Sequence, residues 1–523
     1  MNKVQILDCT LRDGGYQNNC FFGFENEKKI IKGLIEAGID IIECGFFMNN
    51  IEYNLDATRF TSLEQIKKII PTNKEKRNFV VLANYGKFDS EKLPQYDGTS
   101  VDGFRIAFHK KDRFEAIREC EKVKNKGYKI FVQAMVSLSY SDEEFLDLIK
   151  KINILEPYAF YIVDSFGVMK WKDLMRLFYL VEHNLKENIK IGFHSHNNMQ
   201  LAYSNAQSLV NLHTNRDLII DSSIYGMGRG AGNLNTELFV GYLNENTGGK
   251  YNIKPLLTII DEILNEFYQR SYWGYSLPNY LSAWHNTHPN YASYLDDKKT
   301  LTVEAINDIF DLMDDEKRLS YDKDYIEELY IKYMTIGKVQ EAHKVELKDK
   351  LKGKKVLLIA PGKSTVEEKE KIEYFSSTLN LISISINFDY PGTDYIFLSN
   401  LRRFRELDIE KKIKCIVTSN IPADNVYLQT KYSDLLNTVE AVKDNAGLMA
   451  VKFLIDYGVE EIYLAGFDGY AHDAWENYGD SKMAIITRNA VLDAMNIGMS
   501  KVLKQYSKKV NIKFLTEKKF III

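Results

Sequence analysis

Residues 4–16 read VQILDCTLRDGGY, a short apolar run that stops abruptly in polar side chains. The run has the aliphatic density of a strand buried on both faces. No glycine-rich phosphate turn follows it, which argues against an open dinucleotide-binding sheet. Outward from this stretch the same pattern recurs, with strand-like runs at 39–46, 79–83, 103–108, 129–136, 159–164, 190–194 and 218–224. Amphipathic stretches such as ENEKKIIKGLIEAG and DEEFLDLIKKIN separate them, the first ending at Gly38, a favourable helix stop. Eight β-then-α units in about 245 residues match a (β/α)8 TIM barrel in count and size.

A chain of 523 residues exceeds a single core. Residues 251–350 turn helical in period and carry the aromatic cluster YWGYSLPNYLSAWHNTHPNYASY, which predicts a helical extension on the barrel. Alternation restarts at KKVLLIA, with strand-like runs at 381–386, 395–399, 413–418, 461–465 and 512–515. The expected organisation is therefore a barrel over 1–250, the extension over 251–350, and a Rossmann-like α/β domain over 351–523.

Bulk chemistry excludes several partners. The net charge is −4 with no long basic block, so neither nucleic acid nor an anionic membrane is implied. The five cysteines are odd in number and lack metal-finger or redox spacing, as in a reduced compartment. With no signal-peptide pattern and no apolar run of roughly 18 residues, the expectation is a cytoplasmic protein.

Barrel active sites sit where the strands end. Here those ends carry Arg12 and Asp13, Glu43, Asn84, Arg105, Gln133, Asp164 with Ser165, and His194 with His196. The eighth strand leads into YGMGRGAGN, which contains Gly230 and Asn233. His194 and His196 are two apart in a strand, so both imidazoles face the same side. Because the eighth strand closes on the first, Asp13 lies two strands away and is the natural third ligand of a divalent ion. Manganese or magnesium is favoured, with zinc and cobalt as the other choices. Asn233 is a further ligand through its amide oxygen. Arg12 is a fixed cation beside the reacting oxygen, and an ion pair with Glu43 would hold it in place.

The motifs LDCTLRDGGY (7–16), IIECGF (41–46), VDSFG (163–167), GFHSHNN (192–198) and GMGRGAGNLNTE (226–237) resemble those of the DRE-TIM metallolyase superfamily, also called HMGL-like. They occur in family order and are most similar to the 4-hydroxy-2-oxovalerate aldolase branch. The resemblance implies a metal held by Asp13, His194 and His196, with Arg12 stabilising an enolate and Glu43 supporting Arg12. It implies C–C bond formation or cleavage through a pyruvate-type enolate at the metal, acting on an oxo acid and an aldehyde. Arg105, Gln133, Asp164, Ser165 and Gly230 become the expected substrate contacts. One departure stands out: these aldolases carry a histidine three residues after the aspartate, where this chain has Tyr16. A free tyrosine, with a pKa near 10, is a poor base at neutral pH. Tyr16 itself, Tyr275, His285 and His288 are the alternatives for moving the proton.

In the C-terminal segment APGKS (360–364) follows a strand without the full Walker spacing. Gly362, Ser364, Asn400 and Asp468 are the expected ligand residues there, for a nucleotide or nucleotide-sugar. A loose likeness to domains of surface-glycan proteins suggests a role in polysaccharide precursor metabolism. The other functions considered are an acyl-CoA lyase or condensing enzyme of the same superfamily, and a non-catalytic scaffold retaining the fold. A homo-oligomer, at least a dimer, is expected.

Overall fold

The computed structural model describes residues 3–519 apart from 213, 338, 340, 380, 486 and 488. The chain forms two compact units, residues 1–293 with 314–321, and residues 294–313 with 322–523.

In the first unit eight parallel strands close a barrel: β1 (Val4–Asp8), β2 (Ile41–Phe47), β3 (Asn78–Asn84), β4 (Gly103–Phe108), β5 (Lys129–Ala134), β6 (Ala159–Asp164), β7 (Lys190–Ser195) and β8 (Leu218–Ser222). Closure is explicit in the register, because β1 pairs on one side with β8 (Val4 opposite Leu218) and on the other with β2 (Leu7 opposite Ile41). Leu7, Ile41, Val80, Phe131, Tyr161 and Ile219 are buried together in one cluster. A larger one joins strands to helices, as where Ile30, Ile31 and Leu34 of helix α1 (Phe24–Ala37) are buried. Each such side chain contributes roughly 1.5–3 kcal/mol. Gly38 ends α1 in the left-handed region, at φ +88°, as its sequence position predicts.

Strand ends differ from expectation by a residue or two. β5 stops at Ala134 instead of 136, because Val136 adopts φ +51° and leaves the ladder. β2 carries a register irregularity between Glu43 and Phe46. There Gly45 has φ +145°, and a Cβ would lie 2.2 Å from the Thr58 carbonyl oxygen. Such a bulge re-aims neighbouring side chains, and it sits next to Glu43.

The second unit holds seven parallel strands: β9 (Lys355–Ile359), β10 (Ile382–Ile386), β11 (Tyr395–Leu398), β12 (Cys415–Thr418), β13 (Leu428–Thr430), β14 (Glu461–Ala465) and β15 (Asn511–Phe514). Their spatial order is β13-β12-β11-β10-β9-β14-β15, so the direction of winding reverses between β9 and β14. β13, at three residues, is too short to show a period and was not expected.

The helical segment does not form one block on the barrel. Residues to 293 and 314–321 group with the barrel, whereas 294–313 and 322 onward group with the second sheet. The cause is apolar patterning: Ala305, Ile306, Ile309 and Phe310 on one helix, and Ile326, Leu329, Tyr330 and Met334 on another, are buried within that unit. Tyr330 then donates a hydrogen bond to Asp444 at 2.6 Å. All five cysteines are buried free thiols. Among the described residues no helix is long and apolar enough to cross a membrane.

Candidate metal centre

β1 ends at Asp8 and the chain tightens into a π-helical turn over Thr10–Gly14, where the Cys9 carbonyl accepts from both Arg12 N (3.1 Å) and Asp13 N (2.8 Å). This turn brings Asp13 to His194 of β7 and to His196 just beyond its end. Its Oδ2 lies 3.8 Å from His194 Nε2 and 3.5 Å from His196 Nε2. One ligand atom from each of the three falls within 4.8 Å of the others, and all three residues are buried.

Both Asp13 carboxylate oxygens are buried without a hydrogen bond, as is Asn233 Oδ1. Asn233 also forms an isolated antiparallel bridge with His196. Buried acceptors left this way cost stability unless something else satisfies them. A carboxylate, two imidazoles and an amide oxygen are the donor set of a divalent cation. The ionisation states agree. Burial pushes His196 down to about 3, against the pull of Asp13, so its ring is neutral. Burial alone would raise Asp13, but Arg12, His196 and His194 hold its carboxyl well below the usual range.

Behind the ligands, acidic and basic groups alternate around a closed ring. His194 Nδ1 faces Asp221 Oδ2 at 2.9 Å, and Asp221 in turn pairs with Arg105. Arg105 Nη1 pairs with Glu43 at 2.8 Å, and Glu43 accepts a hydrogen bond from Arg12 Nε, also at 2.8 Å. Arg12 Nη1 returns to Asp13 Oδ1 at 3.0 Å. The Arg12–Glu43 pair is as expected. Asp221 was missed, although an acid inside a strand buried on both faces signals a required partner. A carboxylate on the far nitrogen of a ligating histidine fixes its tautomer and orientation.

Several expected substrate contacts are spent elsewhere. Arg105 is wholly buried between Glu43 and Asp221, with its guanidinium 5.0 Å from the Tyr161 ring centre, and so ties the ring together. Asp164 accepts from Val168 N (2.9 Å) and Met169 N (3.1 Å) and fixes the loop after β6. Ser165 Oγ accepts from Val136 N at 2.9 Å. Gly230 lies against Asn198, where a Cβ would meet Oδ1 at 2.7 Å. Gln133 is different: its Nε2 is buried with no partner.

Arg229, also unanticipated, gathers the remaining candidates. Its guanidinium lies 5.5 Å from the Tyr16 ring centre, its Nη2 donates to the Ser165 carbonyl at 3.1 Å, and its Nη1 is 3.4 Å from His288 Nε2. Burial and then Arg229 push His288 down to about 2. Tyr16 is half exposed, yet desolvation raises its phenol above the ordinary value, with Arg229 opposing. Tyr275 is largely exposed, and no contact joins it to this cluster among the described residues. Its neighbour Trp273 instead donates from Nε1 to the Tyr225 carbonyl at 2.8 Å.

In the second unit the APGKS turn is closed on itself by Asp468. The Ser364 N–H donates to Asp468 Oδ2 at 2.8 Å, and its hydroxyl bonds Asp468 Oδ1 and Thr516 Oγ1. Asn400 caps a short helix, accepting from Arg402 N at 2.9 Å. Gly362, Asn400 and Asp468 nevertheless line a cavity, while Ser364 does not.

Residues 3–261 match the HMGL-like family. Over 246 residues the chain is 29% identical to 4-hydroxy-2-oxovalerate aldolase 2 of Comamonas testosteroni, covering 46% of this chain and 67% of that one. It is 28% identical over 248 residues to the 4-hydroxy-2-oxovalerate aldolase of Geobacillus genomosp. 3, covering 46% and 70%. The crystal structure of the N-terminal domain of a candidate aldolase from Bacteroides vulgatus aligns with TM-score 0.50 and 28% identity, over 57% of this chain and 98% of that one. The closed barrel and all of the candidate ligands thus lie within the stretch, residues 3–261, that matches the HMGL-like family.

Proposed function

We propose that the barrel is a divalent-metal-dependent aldolase that makes or breaks a C–C bond through the enolate of a pyruvate-type oxo acid. The observation that carries this is the buried Asp13 carboxylate, ion-paired with Arg12 through Oδ1 and facing two imidazoles with an Oδ2 that has no hydrogen bond. Asp13, His194 and His196 would hold the ion, with Asn233 Oδ1 as a further oxygen. When bound, the ion supplies Lewis-acid polarisation of the oxo acid's carbonyl. Arg12, fixed by Glu43, places permanent positive charge where the enolate's negative charge develops. Gln133 Nε2 is a donor with no competing partner, suited to a substrate oxygen.

In the cleavage direction a base removes the hydroxyl proton at C4 of a 4-hydroxy-2-oxo acid. The C3–C4 bond breaks, the aldehyde leaves, and the electron pair stays with the pyruvate enolate, which then takes a proton at C3. His288 is the proton-handling group on this reading, and Tyr16 is the second. Both lie against Arg229, and an anionic substrate there would raise the basicity of His288 toward the working range. Nothing in the site or the relatives carries the surface-polysaccharide role.

The test is metal content together with deuterium exchange into the methyl group of pyruvate. Wild type should exchange only with manganese or magnesium, and His194→Ala and Asp13→Ala should lose both metal and exchange. His288→Gln should keep the metal and slow aldol cleavage about 100-fold. Metal-replete wild type without exchange would overturn the pyruvate assignment.

A further inference from the structure

The second unit contains a cavity of about 330 Å3, within the range of small-ligand sites. Its lining includes Gly362 after β9 and Gly466 after β14, the two strands between which the order reverses. In open parallel sheets ligands bind in that crevice, beyond the carboxyl ends of the strands. The backbone there leaves no room for side chains. A Cβ on Gly362 would lie 2.3 Å from the Gly466 carbonyl oxygen, and Gly466 has φ +73°.

The charges lining the cavity indicate the ligand. Five cationic side chains, Lys298, Lys299, Arg402, Arg403 and Lys482, meet two acids. Both acids are already engaged, Asp468 with Ser364 and Asp444 with the Tyr330 hydroxyl. Lys298, Lys299 and Arg403 have carboxylate partners in Glu327, Asp296 and Glu406. The Arg402 guanidinium donates to the Leu301 carbonyl at 2.6 Å. Among the described residues neither Arg402 nor Lys482 has a carboxylate partner. The remaining lining combines neutral polar groups such as Asn387, Asn400 and Asn477 with apolar and aromatic ones, including Val442, Phe467 and Met499. Unpaired cations beside an apolar surface suit a molecule with a phosphate at one end and a flat heterocycle at the other.

We propose that this cavity binds a phosphorylated nucleoside, its phosphate at Arg402 and Lys482 and its base against the apolar lining. The site is separate from the barrel centre and does not depend on the reaction proposed there.

Calorimetric titration of the full chain tests this with the four common nucleoside monophosphates and diphosphates. The matching nucleosides, glucose 6-phosphate and inorganic phosphate serve as contrasts. At least one nucleotide should bind with Kd below about 1 mM, and its nucleoside, glucose 6-phosphate and inorganic phosphate at least about 10-fold more weakly. Lys482→Ala and Arg402→Ala should each weaken that nucleotide about 5- to 10-fold. Ala446→Phe, which fills the cavity and leaves the capping Asn445 in place, should abolish binding. Melting temperature and barrel metal content, read on the same samples, establish that each variant is folded. The proposal fails if no nucleotide binds below about 1 mM, or if folded Ala446→Phe binds as wild type does. It fails equally if glucose 6-phosphate or inorganic phosphate matches the best nucleotide.

Discussion

The two units treat their conspicuous polar residues in opposite ways. At the barrel mouth Asp13 and Asn233 keep buried oxygens with no hydrogen bond, while the groups behind them are paired in a closed ring. At the APGKS turn Ser364 and Asp468 satisfy each other, and the groups without carboxylate partners, Arg402 and Lys482, lie elsewhere on the cavity lining. A polar residue at a strand end thus has two uses. If its bonds close on the protein it holds a loop, and if they stay open it waits for a ligand.

The sharpest way to break this contrast is to open the ring. Arg105→Leu leaves Glu43 and Asp221 buried without their shared cation and should cost about 3–5 kcal/mol in urea denaturation. A loss under about 1 kcal/mol would mean that the ring is not a unit. Next in size is a lone carboxylate in the same barrel. Glu27 is buried with both oxygens unpartnered, and burial, then Asp56, pushes it up to about 8. Being raised, it contributes full stability below its unfolded value of about 4.5, and that contribution is lost as pH rises toward about 8. Glu27→Gln should flatten this loss and stabilise the protein at pH 8.5 by on the order of 2–3 kcal/mol. Equal pH slopes for variant and wild type would refute it.

Asp221→Asn comes third. It should weaken metal binding about 10- to 100-fold by chelator competition, and also lower the melting temperature because Arg105 loses one of its two buried carboxylates. Unchanged affinity would reduce Asp221 to a structural neighbour. Smallest is Ser364→Ala, which should cost about 1–2 kcal/mol and leave nucleotide affinity unaltered, because its hydroxyl serves Asp468 and not the cavity. A fall in affinity alone would restore the phosphate-cradle view of this turn.

The barrel was legible because strands buried on both faces read as continuous apolar runs, and the polar residue ending each run stood out. His194 and His196 were legible for the same reason, since alternation in a strand fixes the direction of side chains. Asp221 escaped because its meaning lies in a partner on another strand: nothing in LIIDS reveals that His194 and Arg105 flank it. The two carboxylate partners of Arg105 are hidden on similar grounds, as local sequence cannot show that Glu43 and Asp221 flank it. The split of the helical segment escaped too. Both of its halves are amphipathic, and periodicity reports that a face is apolar without naming the surface that covers it.

The charge ring also bears on the order of assembly. Its members run from Arg12 to Asp221, and the Cys9 thiol meets the Ser222 carbonyl across 213 residues of chain. The ring closes only when the eighth strand brings Asp221 to Arg105 and His194, and contacts so distant in sequence form late. Asp13 stands just beyond one edge of that seam, and His194 is tied through Asp221 to the other. An ion held by both would therefore act as a latch on the last closure, and starving the cell of metal would leave newly made barrels ajar before it silenced finished ones.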